Sequence, residues 1–262
     1  GAPPPPPPFS TGRVMFLRRG QRLPPYVEIA LVAFAMGLVA CLALIAAGLH
    51  LLANWGLPWL VVGVYVLLTV PLFHMSEFLV ACLYRPHDAS PNAFVLYHSH
   101  AYVASMTVAW IELTLHWFVG GSGLGNVITA LFPSNTSSCI WIVVTAMVAA
   151  GFYGLRLAAM VQCAEHFSHQ VEYRRRPEHQ LVKTGLYRTM RHPAYAGWLG
   201  YAVVTQLVVG NWFCALLFAV VTWKFFNGRI ADEEGALLRE EFFGSEYRAY
   251  RSATWSGLPF IV

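Results

Sequence analysis

The sequence predicts an all-α, polytopic membrane helix bundle, and three observations carry that prediction. Hydrophobic types make up 57% of the 262 residues and charged types only 11%, against about 25% charged in a soluble domain. With mean hydropathy at +0.52, the chain lacks the charge to clothe a water-facing surface. Apolar runs close to the ~20 residues that cross a bilayer recur along it. Outside the spans, Lys and Arg fall only in alternate connections and the terminal segments, as they do when basic loops stay on one side of a membrane.

The elements follow in chain order. Pro3 through Pro8 cannot hold a helix and read as a polyproline or disordered start, with no cleavable signal peptide in it. Residues 1–25 are taken as a cytosolic tail carrying Arg13, Arg18, Arg19 and Arg22. Residues 26–160 are assigned four transmembrane helices. The first runs from about Val27 to Leu52. The second, about Leu57 to Leu83, contains Pro71 and should kink there. The third covers about Ala93 to Val119. The fourth starts near Cys139, and its pattern continues past Arg156 toward Glu172. Residues 161–262 hold cytosolic connectors, a helical hairpin over 194–226 and a C-terminal tail. The hairpin pairs two short helices, Ala194 to Val209 and Trp212 to Phe226, joined by Gly210-Asn211. Each is roughly 24 Å long at 1.5 Å per residue, less than the ~30 Å hydrocarbon core.

Orientation follows from the basic residues. Arg85 follows the second helix, Arg174 to Arg176, Lys183, Arg188 and Arg191 the fourth, and Arg229, Arg239, Arg248 and Arg251 the sixth. The opposite connections, around Asn54, over 120–138 and at Gly210-Asn211, carry none. Both termini are therefore expected in the cytosol, and the Asn135-Thr136-Ser137 sequon in the lumen. The balance of 17 Lys+Arg over 13 Asp+Glu sets topology. It is not the clustered basic face that a nucleic acid would need. Cys41, Cys82, Cys139, Cys163 and Cys214 stand singly, with no CxxC or Cys/His ligand spacing, so no metal is expected.

Three constellations carry polar chemistry. His74 and Glu77, His98 and His100, Glu112 and His116, and Arg156 lie inside predicted spans, where ionisable groups are costly. Without dense His boxes they read first as interhelical hydrogen-bonding glue. A second group runs from His179-Gln180-Leu181-Val182 through Gly185 and Tyr187 to Arg191-His192-Pro193-Ala194-Tyr195. Gly185 signals a turn, and Pro193 suits the first turn of a helix. That helix start can hold a polar, adenine-bearing ligand or be merely an interfacial anchor. The third group is Arg229 with Glu233 and Glu234, followed by Phe243-Gly244-Ser245-Glu246-Tyr247 and Tyr250. Arg229 and Glu233 share a face if the sixth helix continues. The hairpin must return this run to the face that holds Arg191-His192.

Taken together, these motifs and the closing Gly257-Leu258-Pro259-Phe260-Ile261 resemble the isoprenylcysteine carboxyl methyltransferase family. The strong match covers about residues 160–262, with weaker similarity at Phe73-His74-x-Ser76-Glu77-Phe78 and His98-Ser99. The Arg-His-Pro-x-Tyr segment alone is shared with phospholipid N-methyltransferases and sterol reductases, and those readings stand as alternatives. A proton-coupled transporter is disfavoured by the lack of an inverted repeat. The resemblance implies an endoplasmic-reticulum enzyme that methylates the C-terminal prenylcysteine of CaaX proteins of the small-GTPase type. Its cofactor would be S-adenosylmethionine, held by Glu172, His179, Gln180, Leu181, Val182, Tyr187, His192, Pro193, Ala194, Tyr195 and Glu233. Arg229 would hold the substrate carboxylate as the catalytic residue, at a site facing the cytosol.

Overall fold

The computed structural model describes residues 23–53, 57–86, 89–96, 100–119, 139–177 and 179–261. The proline-rich start and its arginines, Asn54, His98 and the loop with Asn135 lie outside them. The long helices are α1 (Pro25–Ala53), α2 (Leu57–Leu67), α3 (Phe73–Tyr84), α4 (His100–Val119), α5 (Cys139–Cys163), α6 (Pro193–Val208) and α7 (Trp212–Leu237). A short amphipathic helix, α8 (Gly244–Ala253), follows. Among the described residues, four stretches are long and apolar enough to cross a membrane: Pro25–Leu49, Trp59–Tyr84, Ile140–His166 and Trp212–Leu237.

The structure sharpens the expected kink at Pro71. There α2 and α3 are joined by a five-residue π-helical segment, Leu68–Leu72. Proline offers no N–H to the helical ladder, so nearby carbonyls seek other donors. The Thr69 hydroxyl takes the Tyr65 carbonyl at 2.8 Å, and Tyr201 on α6 donates to the Leu68 carbonyl at 2.5 Å. The loosened turn is thereby stitched to the helix beside it.

Three boundaries differ from the sequence reading. The third span does not begin at Ala93: Pro91–Phe94 is a 3-10 turn, and α4 starts at His100. Val95 in the left-handed region ends that turn. The fourth helix stops at Cys163, nine residues short of Glu172, because Ala164 adopts φ +49 and breaks the ladder. The polar residues after it fold back over the helix end, where Arg85 binds the Phe167 carbonyl at 3.1 Å. The sixth helix runs on past Phe226 to Leu237, so the hairpin pairs one short helix with one long one. Beyond Phe226, Ile230 and Ala236 remain buried and continue the packed face.

Helices α5 and α6 pack most intimately, because α6 presents small residues to its neighbour. A Cβ on Gly197 would sit 2.7 Å from the Arg156 nitrogen and the Phe152 carbonyl, and one on Gly200 would fall within the Phe152 ring. Inside this contact lies a buried ion pair. Arg156 gives Nε to Glu77 Oε1 and Nη2 to Glu77 Oε2, both at 2.6 Å, joining α5 to α3. The two residues are 1% and 0% exposed. Arg156 also lies 4.3 Å from the Trp198 ring and donates to the Ala194 carbonyl. His74 and Glu112 bond across elements as well. His74 Nδ1 meets the Phe94 carbonyl at 2.8 Å, and Glu112 accepts the first free N–H groups of α7 from Phe213 and Cys214.

Removing one member of a buried pair strands the other charge, at a cost of about 3–5 kcal/mol. Glu77→Ala should lower the melting temperature in detergent sharply, and Glu77→Leu with Arg156→Met should recover most of the loss. A single variant as stable as the parent would show that the pair does not hold the bundle.

Candidate functional site

The polar residues gather at one end of the bundle, where α3 and α5 finish, α6 begins and α7 overruns its hairpin partner. The chain between α5 and α6 lines that end in extended conformation, punctuated by 3-10 turns at Ala164–His166 and Gly185–Arg188. Gly185 has φ +59, and a Cβ there would strike the Gln162 amide. The close approach lets Gln162 accept the Leu186 N–H at 2.8 Å and ties this loop to the end of α5.

The cleft so formed encloses about 680 Å³, counting its open mouth. Its walls include Glu172, His179, Gln180, Leu181, Val182, Tyr187, His192 and Glu233. Eight of the expected cofactor residues are therefore brought together from three separate segments. Pro193 and Ala194 do not line the cleft; they are buried in the first turn of α6, where Arg156 holds the Ala194 carbonyl. Tyr195 lines a smaller neighbouring cavity instead, with Arg229, His169, Arg156, Trp198 and Phe226. The Tyr187 hydroxyl donates to the Ala159 carbonyl at 3.2 Å, so Tyr187 offers the cleft its ring.

Tyr195 joins the two spaces. Its hydroxyl donates to Glu233 Oε2 at 2.6 Å and accepts Arg229 Nε at 2.8 Å. His192 stacks on one neighbouring ring face at 5.4 Å and Phe226 lies stacked at 4.6 Å. Arg229 and Glu233 do share a face of the extended α7, one turn apart. The second arm of Arg229 reaches the His169 carbonyl at 2.7 Å. The His169 ring in turn binds Glu77 at 2.8 Å. A continuous set of contacts thus runs from the buried Glu77–Arg156 pair to the Arg229 fork. The position of His169 is not visible in the sequence, because it depends on the chain folding back after Ala164.

The cleft also contains groups that fit a polar ligand. Among the described residues, His179 Nδ1, Arg191 Nη2 and the Tyr247 hydroxyl are buried without a hydrogen-bond partner, and all three residues line it. Buried polar atoms in native folds normally have partners, so such a cluster marks a place for one. A larger hollow of about 1020 Å³, counting its mouth, lies across the 168–172 segment and contains none of these atoms. The smaller cleft thus combines unused polar atoms with aromatic walls, as a small polar ligand requires. Tyr247 and Arg191 belonged to recognised motifs, yet only their burial and unused donors single them out. Among the described residues no three His, Cys, Asp or Glu side chains converge as metal ligands.

Residues 141–239 match the model of the isoprenylcysteine carboxyl methyltransferase family. The chain is 38% identical over 195 residues to a Schizosaccharomyces pombe protein-S-isoprenylcysteine O-methyltransferase, covering 72% of this chain and 80% of the relative. A Homo sapiens protein of the same name is 31% identical over 240 residues, covering 91% and 76%. The solved structure of a eukaryotic intramembrane Ras methyltransferase superposes with a TM-score of 0.76 at 30% identity, covering 89% of this chain and 77% of that one.

Burial holds the His179 pKa below its ordinary 6.5, with the Glu172 carboxylate opposing the shift. As pH falls through about 6.5 the unfolded chain takes up this proton first. The stability His179 contributes is therefore present above that pH and lost as pH drops toward the folded value. His179→Gln should flatten the decline in melting temperature between about pH 7 and pH 5. An unchanged slope would show that the imidazole is not held neutral.

Proposed function

This chain belongs to the isoprenylcysteine carboxyl methyltransferase family, and from that premise we propose how its residues carry the reaction. The enzyme methylates the C-terminal carboxylate of prenylcysteine on CaaX-processed proteins, with S-adenosylmethionine as donor. When bound, that cofactor supplies a methyl group made electrophilic by a sulfonium centre. The cleft lined by Glu172, His179 to Val182, Tyr187, His192 and Glu233 is assigned to it. Pro193 and Ala194 act by fixing the start of α6, and Tyr195 by joining cleft and acceptor cavity. One observation carries this reading: Tyr195 holds Arg229 and Glu233 on a single hydroxyl, so an acceptor at Arg229 lies beside a donor at Glu233.

A C-terminal carboxyl has a pKa near 3.5, so at neutral pH the acceptor is already ionised and needs no general base. The residues have only to aim it and strip its water. Arg229 presents a planar fork that suits a carboxylate, and Tyr195 and the His169 carbonyl hold that fork in place. The apolar chain has a path as well. A groove lined by Tyr102, Trp198, Phe218, Val221 and Phe225 shares Trp198, Phe225 and Phe226 with the Arg229 cavity. A prenyl chain there would gain on the order of 0.8 kcal/mol per buried CH₂.

The working parts extend beyond residues 161–262, since Glu77 and Arg156 support Arg229 from within 26–160. We place the enzyme in the endoplasmic-reticulum membrane, as membership of this family implies, and face its site to the cytosol on the one-sided distribution of Lys and Arg. A glycosylation acceptor engineered into the N-terminal tail should then remain unmodified. Its modification in microsomes would reverse the orientation.

The Arg229 assignment has a separate test. Arg229→Lys keeps the charge but loses the fork, and kcat/KM for a farnesylcysteine acceptor should fall roughly 10–100-fold. Cofactor affinity by calorimetry should change less than about threefold, because the cleft walls remain. Normal turnover in the lysine variant would return Arg229 to the role of an interfacial charge.

A further inference from the structure

The wall of the cofactor cleft nearest α8 contains two buried donors that neither the fold nor the motif assignments use. Arg191 is 6% exposed and Tyr247 2%. Neither Arg191 Nη2 nor the Tyr247 hydroxyl finds a partner among the described residues. Their aim is fixed by what surrounds them. Arg191 gives Nε to Glu234 Oε1 at 2.7 Å and Nη1 to the carbonyls of Arg251 and Thr254. With three bonds holding a planar group, Nη2 has one direction left. Tyr247 packs with Phe242, Phe243 and Tyr250 and cannot swing away.

Glu234 is the single carboxylate shared by Arg191, by Arg251 Nε at 3.0 Å and by His192 Nε2 at 3.0 Å. Both guanidiniums lean on Glu234, and the adjoining acid, Glu233, accepts the Tyr195 hydroxyl. Burial, with the Glu234 charge nearby, raises the Tyr247 pKa and keeps its phenol protonated as a donor. Two unpartnered donors on one wall, one of them a guanidinium, suit an anionic acceptor with two oxygens. An adenine edge mixes donors and acceptors, and ribose hydroxyls would bring protons of their own.

We propose that Arg191 Nη2 and the Tyr247 hydroxyl grip the α-carboxylate at the amino-acid end of the methyl donor. This rests on the reading that the cleft takes S-adenosylmethionine, and it fixes which end of that molecule lies against α8. Arg191 and Tyr247 become cofactor-binding residues in addition to the motif positions.

The test uses the full chain in detergent, calorimetry, and two probes: S-adenosylhomocysteine and its decarboxylated analogue. The parent protein should bind S-adenosylhomocysteine at least about tenfold more tightly, the scale of a hydrogen bond to a charged group. Tyr247→Phe should weaken S-adenosylhomocysteine about tenfold while leaving the analogue within about twofold and the melting temperature unchanged. Equal affinity of the parent for both probes overturns the assignment without needing any variant, and so does an equal loss for both probes in Tyr247→Phe. Binding of both without discrimination leaves the cleft as a cofactor site and removes only the carboxylate grip. Failure of the parent to bind either probe overturns the cleft reading itself.

Discussion

The buried pair of Glu77 and Arg156 is the interaction on which the rest of the arrangement depends. A carboxylate and a guanidinium far from water are tolerated only when each satisfies the other and their spare hydrogen-bonding capacity is used. Here it is used outward. Glu77 also binds His169, which sets the connector after α5, and Arg156 also binds the Ala194 carbonyl, which sets the start of α6. Two chain segments with little apolar surface are thereby positioned from a fixed point inside the bundle. The His169 carbonyl then becomes a reference for Arg229. An apolar pair of the same volume could fill the space, yet it would supply none of these directions.

Much of this was legible in the sequence because the signals were local. The four longer apolar segments, the two short ones of the hairpin and the one-sided basic connections needed only composition and periodicity. The Arg191-to-Tyr195 segment and the Arg229-to-Glu234 run stood out as charges next to apolar helices, and the one-turn spacing of Arg229 and Glu233 fixed their common face. The Arg-His-Pro-x-Tyr segment could not by itself separate a methyltransferase from a reductase. The extent of similarity along most of the chain does.

What was not legible depended on contacts between distant residues. Nothing local ends α5 at Cys163. The residues that follow are acceptable in a helix, and the break at Ala164 is stabilised by Arg85 and Glu77 from another part of the chain. Nothing local fixes how far α7 outlasts its partner either, because the stretch beyond Phe226 depends on buried places for Ile230 and Ala236. Pro193 and Ala194 sit inside the same motif, yet they are buried in the first turn of α6 and line neither the cleft nor the Arg229 cavity. The unused donors of Arg191 and Tyr247 are visible only once every other partner has been counted.

The closing Gly-Leu-Pro-Phe-Ile ending shows why a segment with no reactive group can belong to a catalytic signature. The Arg191 N–H donates to the Trp255 carbonyl at 2.8 Å and the His192 N–H to the Ser256 carbonyl at 2.9 Å, so the tail pairs with the approach to α6. Gly257 turns the chain at φ +101. Ser256 Oγ bonds the carbonyls of Leu258 and Ile261, Leu258 is wholly buried, and Trp223 on α7 donates to the Pro259 carbonyl at 2.7 Å. The tail therefore ties the start of α6 to α7, the helix that carries Arg229 and Glu233. For a methyl transfer that needs no acid or base, rate depends on how narrowly the two reactants are aimed. On the assignment proposed for Arg229 and Glu233, residues that fix α6 and α7 are then as much a requirement of the chemistry as the acceptor and donor contacts themselves.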